Sequence, residues 1–344
     1  MRLLKKDAFA LLLAAYHPSL DLLGVSTVHG NASLEQTTSN ALRILTAIGR
    51  PDIPVHPGAA KPFCRAAVHA PGIHGSSGID GTDLLPEAHV PAIRKPNAVL
   101  AMRHAIMDQP ADTVSLVATG ALTNVALLFA TFPETVSHVK GLSIMGGGIG
   151  DGFTDAQGLR KGGGNETDWA EFNIYCDPEA AGSILPDELV AKKTTLIPLD
   201  LTHQAIATDS IREKLLHGRQ SGPPSTLRTL FHDLLTYFAR TYSNVFGLKA
   251  GPPLHDPLAV AVLLSEEELT INDGEGERWH VEVVTDGVHS ARSEEHGQLG
   301  RTIASSVSER GTGGIRIPRS FDKARFWDLI DDALTAAEDR LLAQ

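Results

Sequence analysis

Two hydrophobic periodicities alternate along the chain. Phe9, Leu12, Leu13 and Tyr16 recur at i, i+3, i+4 and i+7, the spacing of one helix face, so a helix starts near Asp7. Residues 22–28 then form an apolar and β-branched run of strand length, and helical spacing returns over 34–48 ahead of a short strand near Pro54-Val55. The alternation continues with strands at 113–118, 141–145 and 194–198 and helices over 98–107, 122–130 and 178–184. Buried-type strands separated by helices predict an α/β fold, an open, mostly parallel sheet with helices on both faces. Near the C-terminus, Phe326, Leu329, Ile330 and Leu334 share one face of a last helix that packs on the core. With no internal repeat and no clear linker, residues 1–344 read as a single domain.

In such sheets ligands bind outside the carboxyl ends of the strands. Gly30-Asn31 follows the run ending at Val28, Thr119 follows Ala118, and Gly146 follows Met145, so one site is expected to gather there. Glu171 and Asn173 flank Phe172, and in an extended backbone both would point to the same side, as two hydrogen-bonding groups facing sugar hydroxyls would. Asp177-Pro178-Glu179 reads as a helix start, with Asp177 as cap and Pro178 in the first turn. His255-Asp256-Pro257 opens another apolar run. Three loops interrupt the pattern: a glycine-rich stretch at 74–81, a long surface insertion at 146–165, and 220–225, after which a helix over 227–242 is placed to lie over the pocket.

Composition narrows the class. A net charge of -11 with no basic stripe argues against a nucleic-acid surface. No run approaches the length of a membrane span, the N-terminus lacks a secretory pattern, and Cys64 and Cys176 are too few for a disulfide framework, so the cytoplasm is the expected compartment. Cys176 reads as a small core residue rather than a nucleophile, because nothing in the sequence places a base beside it.

Taken together, Asn40, Ala118 to Asn124, Met145-Gly146-Gly147-Gly148, Glu171-Phe172-Asn173 and His255-Asp256-Pro257 resemble, in order, the inosine-uridine-preferring nucleoside hydrolases. That resemblance implies a nucleoside hydrolase fold of Rossmann-like type and hydrolysis of the N-glycosidic bond of ribonucleosides, assisted by Ca2+. It implies Asp7, Asp256 and the Thr119 carbonyl as metal ligands, Asn40, Asn165, Glu171 and Asn173 as ribose ligands, Met145 lining the site, and His255 as the proton donor to the leaving base. His29, His74, His203 and Tyr242 compete for that last role. The resemblance further implies a small-molecule nucleoside partner, no nucleic acid or membrane, and a homo-oligomer, dimer or tetramer. At the start the chain departs from the pattern: Asp7 matches only the last acid of the family's Asp-rich motif, Lys6 stands at a ribose-binding aspartate position, and the water-activating base has no counterpart. A chain truncated at its N-terminus is the expectation this raises, with a catalytically impaired member that binds ribose or nucleoside as the alternative.

Overall fold

A computed structural model describes residues 5–70, 78–219, 222–290, 297–307 and 309–343. Helix α1 (Lys5–Tyr16) leads to strand β1 (Val25–Thr27), helix α2 (Leu34–Ala47) and strand β2 (Val55–Pro57). After a long connection come α3 (Ala98–Met107), β3 (Ser115–Ala118), α4 (Thr123–Thr131), α5 (Glu134–His138) and β4 (Gly141–Met145). Short helices α6 (Phe172–Cys176), α7 (Pro178–Ile184) and α8 (Glu188–Ala191) precede β5 (Thr194–Ile197). The remainder comprises α9 (Leu199–Thr202), α10 (Asp209–His217), α11 (Thr226–Phe246), α12 (Asp256–Ala261), β6 (Ile271–Asn272), β7 (Trp279–Val283), β8 (Thr302–Ser306), β9 (Ser320–Phe321) and α13 (Lys323–Leu342).

The parallel order holds. β1 pairs with β2 in parallel, and β3, β4 and β5 form a parallel sheet with Leu116 opposite Leu142 and Ile144 opposite Leu196. Two antiparallel pairs, β6–β9 and β7–β8, lie in the C-terminal third and leave no mark in the helix-strand alternation of the sequence. Helices α1, α2, α11, α12 and α13 enclose one core around Phe9, Leu45, Phe231, Leu258 and Phe326, while a second core lies under β3 to β5 around Leu142, Ile144, Ile174 and Leu196. The last helix buries Phe326, Leu329, Ile330 and Leu334, as its one-sided pattern requires.

One expectation fails and a second holds only in part. Residues 172–176 are helical rather than extended: the Glu171 carboxylate caps the amides of Asn173 and Ile174, and a cap stabilises a helix start that period-two polarity cannot reveal. Loop 146–165 is a surface insertion only over 151–161, since Gly146 to Gly148 and Gly162 to Gly164 at its two ends are buried. A side chain at Gly148 would place its Cβ 1.9 Å from the Gly163 carbonyl, so the two ends of this loop pack together only because both positions are glycine. Among the described residues, no helix is long and apolar enough to cross a membrane.

Candidate active site

The carboxyl ends of β3 and β4 organise the site. Thr119, just past β3, donates its hydroxyl to Asp7 Oδ1 at 2.5 Å, which fixes the first turn of α1 against the sheet. Asn173 reaches the same place from α6, its Nδ2 donating to the Met145 carbonyl at 3.0 Å and the Thr119 carbonyl at 3.3 Å, with the Met145 sulfur at 3.3 Å. Asp256 enters at the start of α12, which packs on α1, β3 and β4. Asp7, Thr119, Met145, Asn173 and Asp256 are all buried, Asp7 and Asp256 at 1% exposure. Two carboxylates at that depth are expensive unless hydrogen-bonded or compensated by a cation.

Glu171 is held on the other side of Asn173. Its Oε2 accepts from the amides of Asn173 at 2.9 Å, Ile174 at 3.1 Å and Gly147 at 3.1 Å. Burial pushes its pKa up, while those amides and the Lys6 charge pull it back. Lys6 extends into the same region, with its ammonium 5.6 Å from the centre of the Phe238 ring on α11.

Asn40 is buried on α2, which is fixed to β1 by the 2.8 Å contact between the Thr27 and Thr38 hydroxyls. An exposed helix amide, the plain alternative for Asn40, is therefore excluded. Asn165 uses its Oδ1 to accept the Phe172 amide at 3.0 Å, so it fastens the 146–165 loop to the start of α6. Cys176 is buried and Cys64 exposed, and neither is in a disulfide among the described residues. Asp177 caps α7 through Ala180 at 3.2 Å and also accepts the Thr123 hydroxyl at 2.6 Å.

His255 is fully buried, with both ring nitrogens engaged: Nδ1 lies 2.6 Å from the Thr202 hydroxyl and Nε2 lies 3.1 Å from the Tyr242 hydroxyl. Tyr242 comes from α11, the helix expected over the pocket. Burial pushes the Tyr242 phenol up, and the charges of Asp256 and Glu171 add to that, so it stays protonated and can donate. Beside them, His203 lies with its ring centre 5.4 Å from that of His255. The Gln157 carbonyl can only accept, so His203 Nδ1 carries a proton toward it at 2.8 Å. Burial lowers the His203 pKa to about 4 and leaves the ring neutral.

Thr202 and Asp200 escaped sequence reasoning, and His203 was singled out only as a competitor for the proton-donor role, because α9 is a single short turn after β5 with no periodicity of its own. Asp200 accepts the Ile149 and Gly150 amides at 2.7 and 2.9 Å and so holds the 146–165 loop over the site. An acid three residues past the end of β5, in an otherwise apolar stretch, was the signal available. Of the other histidines, His29 sits 3.0 Å from the Thr123 hydroxyl, well engaged at the end of β1. His74 lies outside the described residues, as do its neighbours to residue 77. From Gly78 on, the same loop rests on α11, with Thr82 donating to Asp233 at 3.1 Å.

A parallel sheet whose carboxyl ends gather buried carboxylates, amides and a histidine-tyrosine pair defines a hydrolase-type site in an α/β fold. The description inosine-uridine preferring nucleoside hydrolase matches residues 5–328, and the chain belongs to that family. The uridine nucleosidase of Saccharomyces cerevisiae is 38% identical over 333 residues, covering 96% of this chain and 93% of its own. A pyrimidine-specific ribonucleoside hydrolase of Shewanella woodyi is 34% identical over 329 residues, 95% of this chain and 94% of its own. In fold, the chain is similar to a purine-preferring ribonucleoside hydrolase from Gardnerella vaginalis, with a TM-score of 0.78 over 98% of both chains at 23% identity.

Proposed function

We propose that the protein hydrolyses the N-glycosidic bond of ribonucleosides, uridine first among them, to ribose and free base with calcium assistance. The observation that carries this reading is the convergence of Asp7, Thr119, Met145 and Asn173 on the carboxyl ends of β3 and β4, with the Tyr242-His255 pair beside them. Breaking this bond develops an oxocarbenium-like sugar, so the site must stabilise positive charge, deliver water and protonate the departing base.

Glu171, Asn173, Asn40 and Asn165 supply the acceptors and amides that hold ribose hydroxyls, and Met145 lines the same wall. His255 is the proton source, and Tyr242, in contact with its Nε2, is the group through which that proton reaches the base. A positioned acid of this kind contributes ~10²–10⁴-fold to rate. Asp7, Asp256 and the Thr119 carbonyl fit a hard cation in kind, being oxygen donors of which two are carboxylates. They leave part of a six- to eight-oxygen shell to sugar hydroxyls and water. No group of three or more His, Cys, Asp or Glu side chains among the described residues forms a metal site without such partners. When bound, that ion would lower the pKa of a coordinated water and hold the ribose hydroxyls.

Lys6 favours a second reading, a family member that binds ribose or nucleoside with little turnover. Its ammonium reaches the Phe238 face of the site, and its charge is felt by both Glu171 and His203. Ribose release from uridine and inosine, with calcium and with chelator, separates the two. Calcium-dependent release supports hydrolysis. Calorimetric binding without release supports the binder, and neither binding nor release would sink both.

A further inference from the structure

On the proton-donor side of the site, one buried polar atom stands without a partner among the described residues, Nε2 of His203. His203 follows α9 and is 4% exposed, and its Nδ1 is committed to the Gln157 carbonyl at 2.8 Å. That bond puts the ring proton on Nδ1 and leaves a lone pair on Nε2. Both nitrogens of the neighbouring His255 are engaged, by Thr202 and Tyr242, so that ring offers it no proton. A buried acceptor left unpaired costs the full desolvation of the group, and one kept in that state marks a place where something else supplies the donor.

The surroundings select that donor. His203 belongs to a run of rings: its centre lies 5.4 Å from that of His255, the His255 centre lies 6.1 Å from that of Tyr242, and Tyr242 lies 4.4 Å from Phe238. The Lys6 ammonium stands over Phe238, and its charge is felt both at His203 and at Glu171, so the run of rings and the carboxylate border one chamber. A wall of flat rings suits a flat leaving base. Glu171 and Asn173, which hold ribose in the proposed reaction, lie at the other end, against Gly147 and Met145. The group that protonates the base stands beside it, so His203, in ring contact with that group, faces the base rather than the sugar.

We propose that His203 Nε2 accepts the N3–H of a uracil leaving group and so selects uridine over cytidine. The inference rests on the proposed hydrolysis, for which it names one specificity residue. Uracil presents O2, an oxygen that gathers charge as the bond to N1 breaks, directly beside N3–H. Tyr242 and His203 match that edge as donor and acceptor. Cytosine keeps O2 but carries a lone pair at N3, so two lone pairs would meet at Nε2. A site built to hydrogen-bond rejects a ligand that leaves its buried group unpaired far more strongly than one that merely packs less well.

The test compares the parent with His203→Phe, which keeps a ring but removes both nitrogens, on uridine, cytidine and 3-deazauridine, whose C3–H replaces N3–H without added bulk. Loss of the Gln157 bond acts on every substrate alike, so the readout is the difference between substrates. On His203→Phe, kcat/KM for uridine should fall about tenfold or more, and for cytidine and 3-deazauridine by less than about threefold. If the protein binds without turnover, the same pattern should appear in Kd by calorimetry. On the parent alone, which needs no folded variant, 3-deazauridine should bind about tenfold more weakly than uridine. Equal binding of the two by the parent, or losses of equal size on all three substrates, would overturn the inference and leave the proposed hydrolysis standing. A parent that neither binds nor cleaves any nucleoside would overturn both.

Discussion

Tyr242 and His255 share a 3.1 Å contact between the phenol oxygen and Nε2, although one lies on the long helix α11 and the other at the start of α12. With Nδ1 tied to Thr202, the imidazole has no open route to a substrate except through the phenol. Tyr242→Phe should therefore lower kcat for uridine nearly as much as His255→Ala, by ~10²-fold or more. For a nitrophenyl riboside, whose leaving group needs no proton, both variants should stay within a few-fold of the parent. A Tyr242→Phe protein with full uridine turnover would remove Tyr242 from the proton path.

Glu171 accepts three backbone amides, and those bonds fix the Gly147 turn and the first turn of α6 together. Glu171→Ala leaves three buried donors without an acceptor, each with a cost of ~1–3 kcal/mol before relaxation. The variant should show a fall of several degrees in thermal midpoint together with loss of nucleoside binding by calorimetry. Glu171→Gln, which keeps one acceptor oxygen, should recover most of the midpoint but not the binding. Recovery of both would show that the carboxylate charge is not used.

A second stability element is remote from the site. Arg228 is buried in α11 and meets Asp331 and Glu338 of α13, both at 2.7 Å, as well as the Leu215 carbonyl. Replacing Arg228 with Met strands two buried carboxylates, a change that costs ~3–5 kcal/mol in comparable networks. Urea denaturation should show that loss, and the companion triple replacement of Arg228, Asp331 and Glu338 by apolar residues should recover much of it. A single Arg228→Met variant of unchanged midpoint would contradict the network's role.

Much of the fold was legible because parallel strands and amphipathic helices carry their periods in the sequence. The strand 141–145 and the helices 98–107 and 178–184 occupy the expected residues. What periodicity could not show is the local hydrogen bonding that overrides it. The polar alternation of Glu171 and Asn173 belongs to a capped helix, and the glycines at the two ends of the 146–165 insertion, among them Gly148 and Gly163, are internal packing. Hydrogen bonds bring Asp7, Thr119, Met145 and Asn173 to one place, with Asp256 buried next to His255, while Tyr242 and His203 meet His255 from elements too distant in sequence for any spacing rule to pair with it.

His203 makes stability depend on pH with a definite sign. Its ordinary pKa of 6.5 falls to about 4 in the folded protein, chiefly through burial. Between those values the unfolded chain binds the proton that the folded one refuses. Stability from this group is thus fully present above pH 6.5 and is lost as pH falls toward 4. The loss is ~1.4 kcal/mol for each pH unit of that window. Burial raises the Glu171, Asp177 and Asp200 carboxyls, which act in the opposite direction, so the comparison must be between parent and His203→Gln. Urea midpoints at pH 7 and pH 5 should differ more for the parent than for the variant. Equal differences would mean that His203 is protonated in the folded state.

Lys6 bears on the cation binding proposed above. Its ammonium sits at the Phe238 ring, and its field reaches Glu171, which Gly147 and Asn173 link to the Thr119-Asp7 corner. A fixed positive charge in this region opposes a divalent cation at the proposed ligands, because like charges several ångströms apart still repel by a kcal/mol or more at an effective dielectric of ~20. Lys6→Asp both removes that charge and adds an oxygen donor of the type calcium prefers. Calorimetry should show calcium affinity raised by about tenfold or more over the parent, and Lys6→Met should give a smaller gain from loss of repulsion alone. Identical affinities in all three proteins would place Lys6 outside the field of the cation site, and the second reading of the protein as a weak binder would lose its main support.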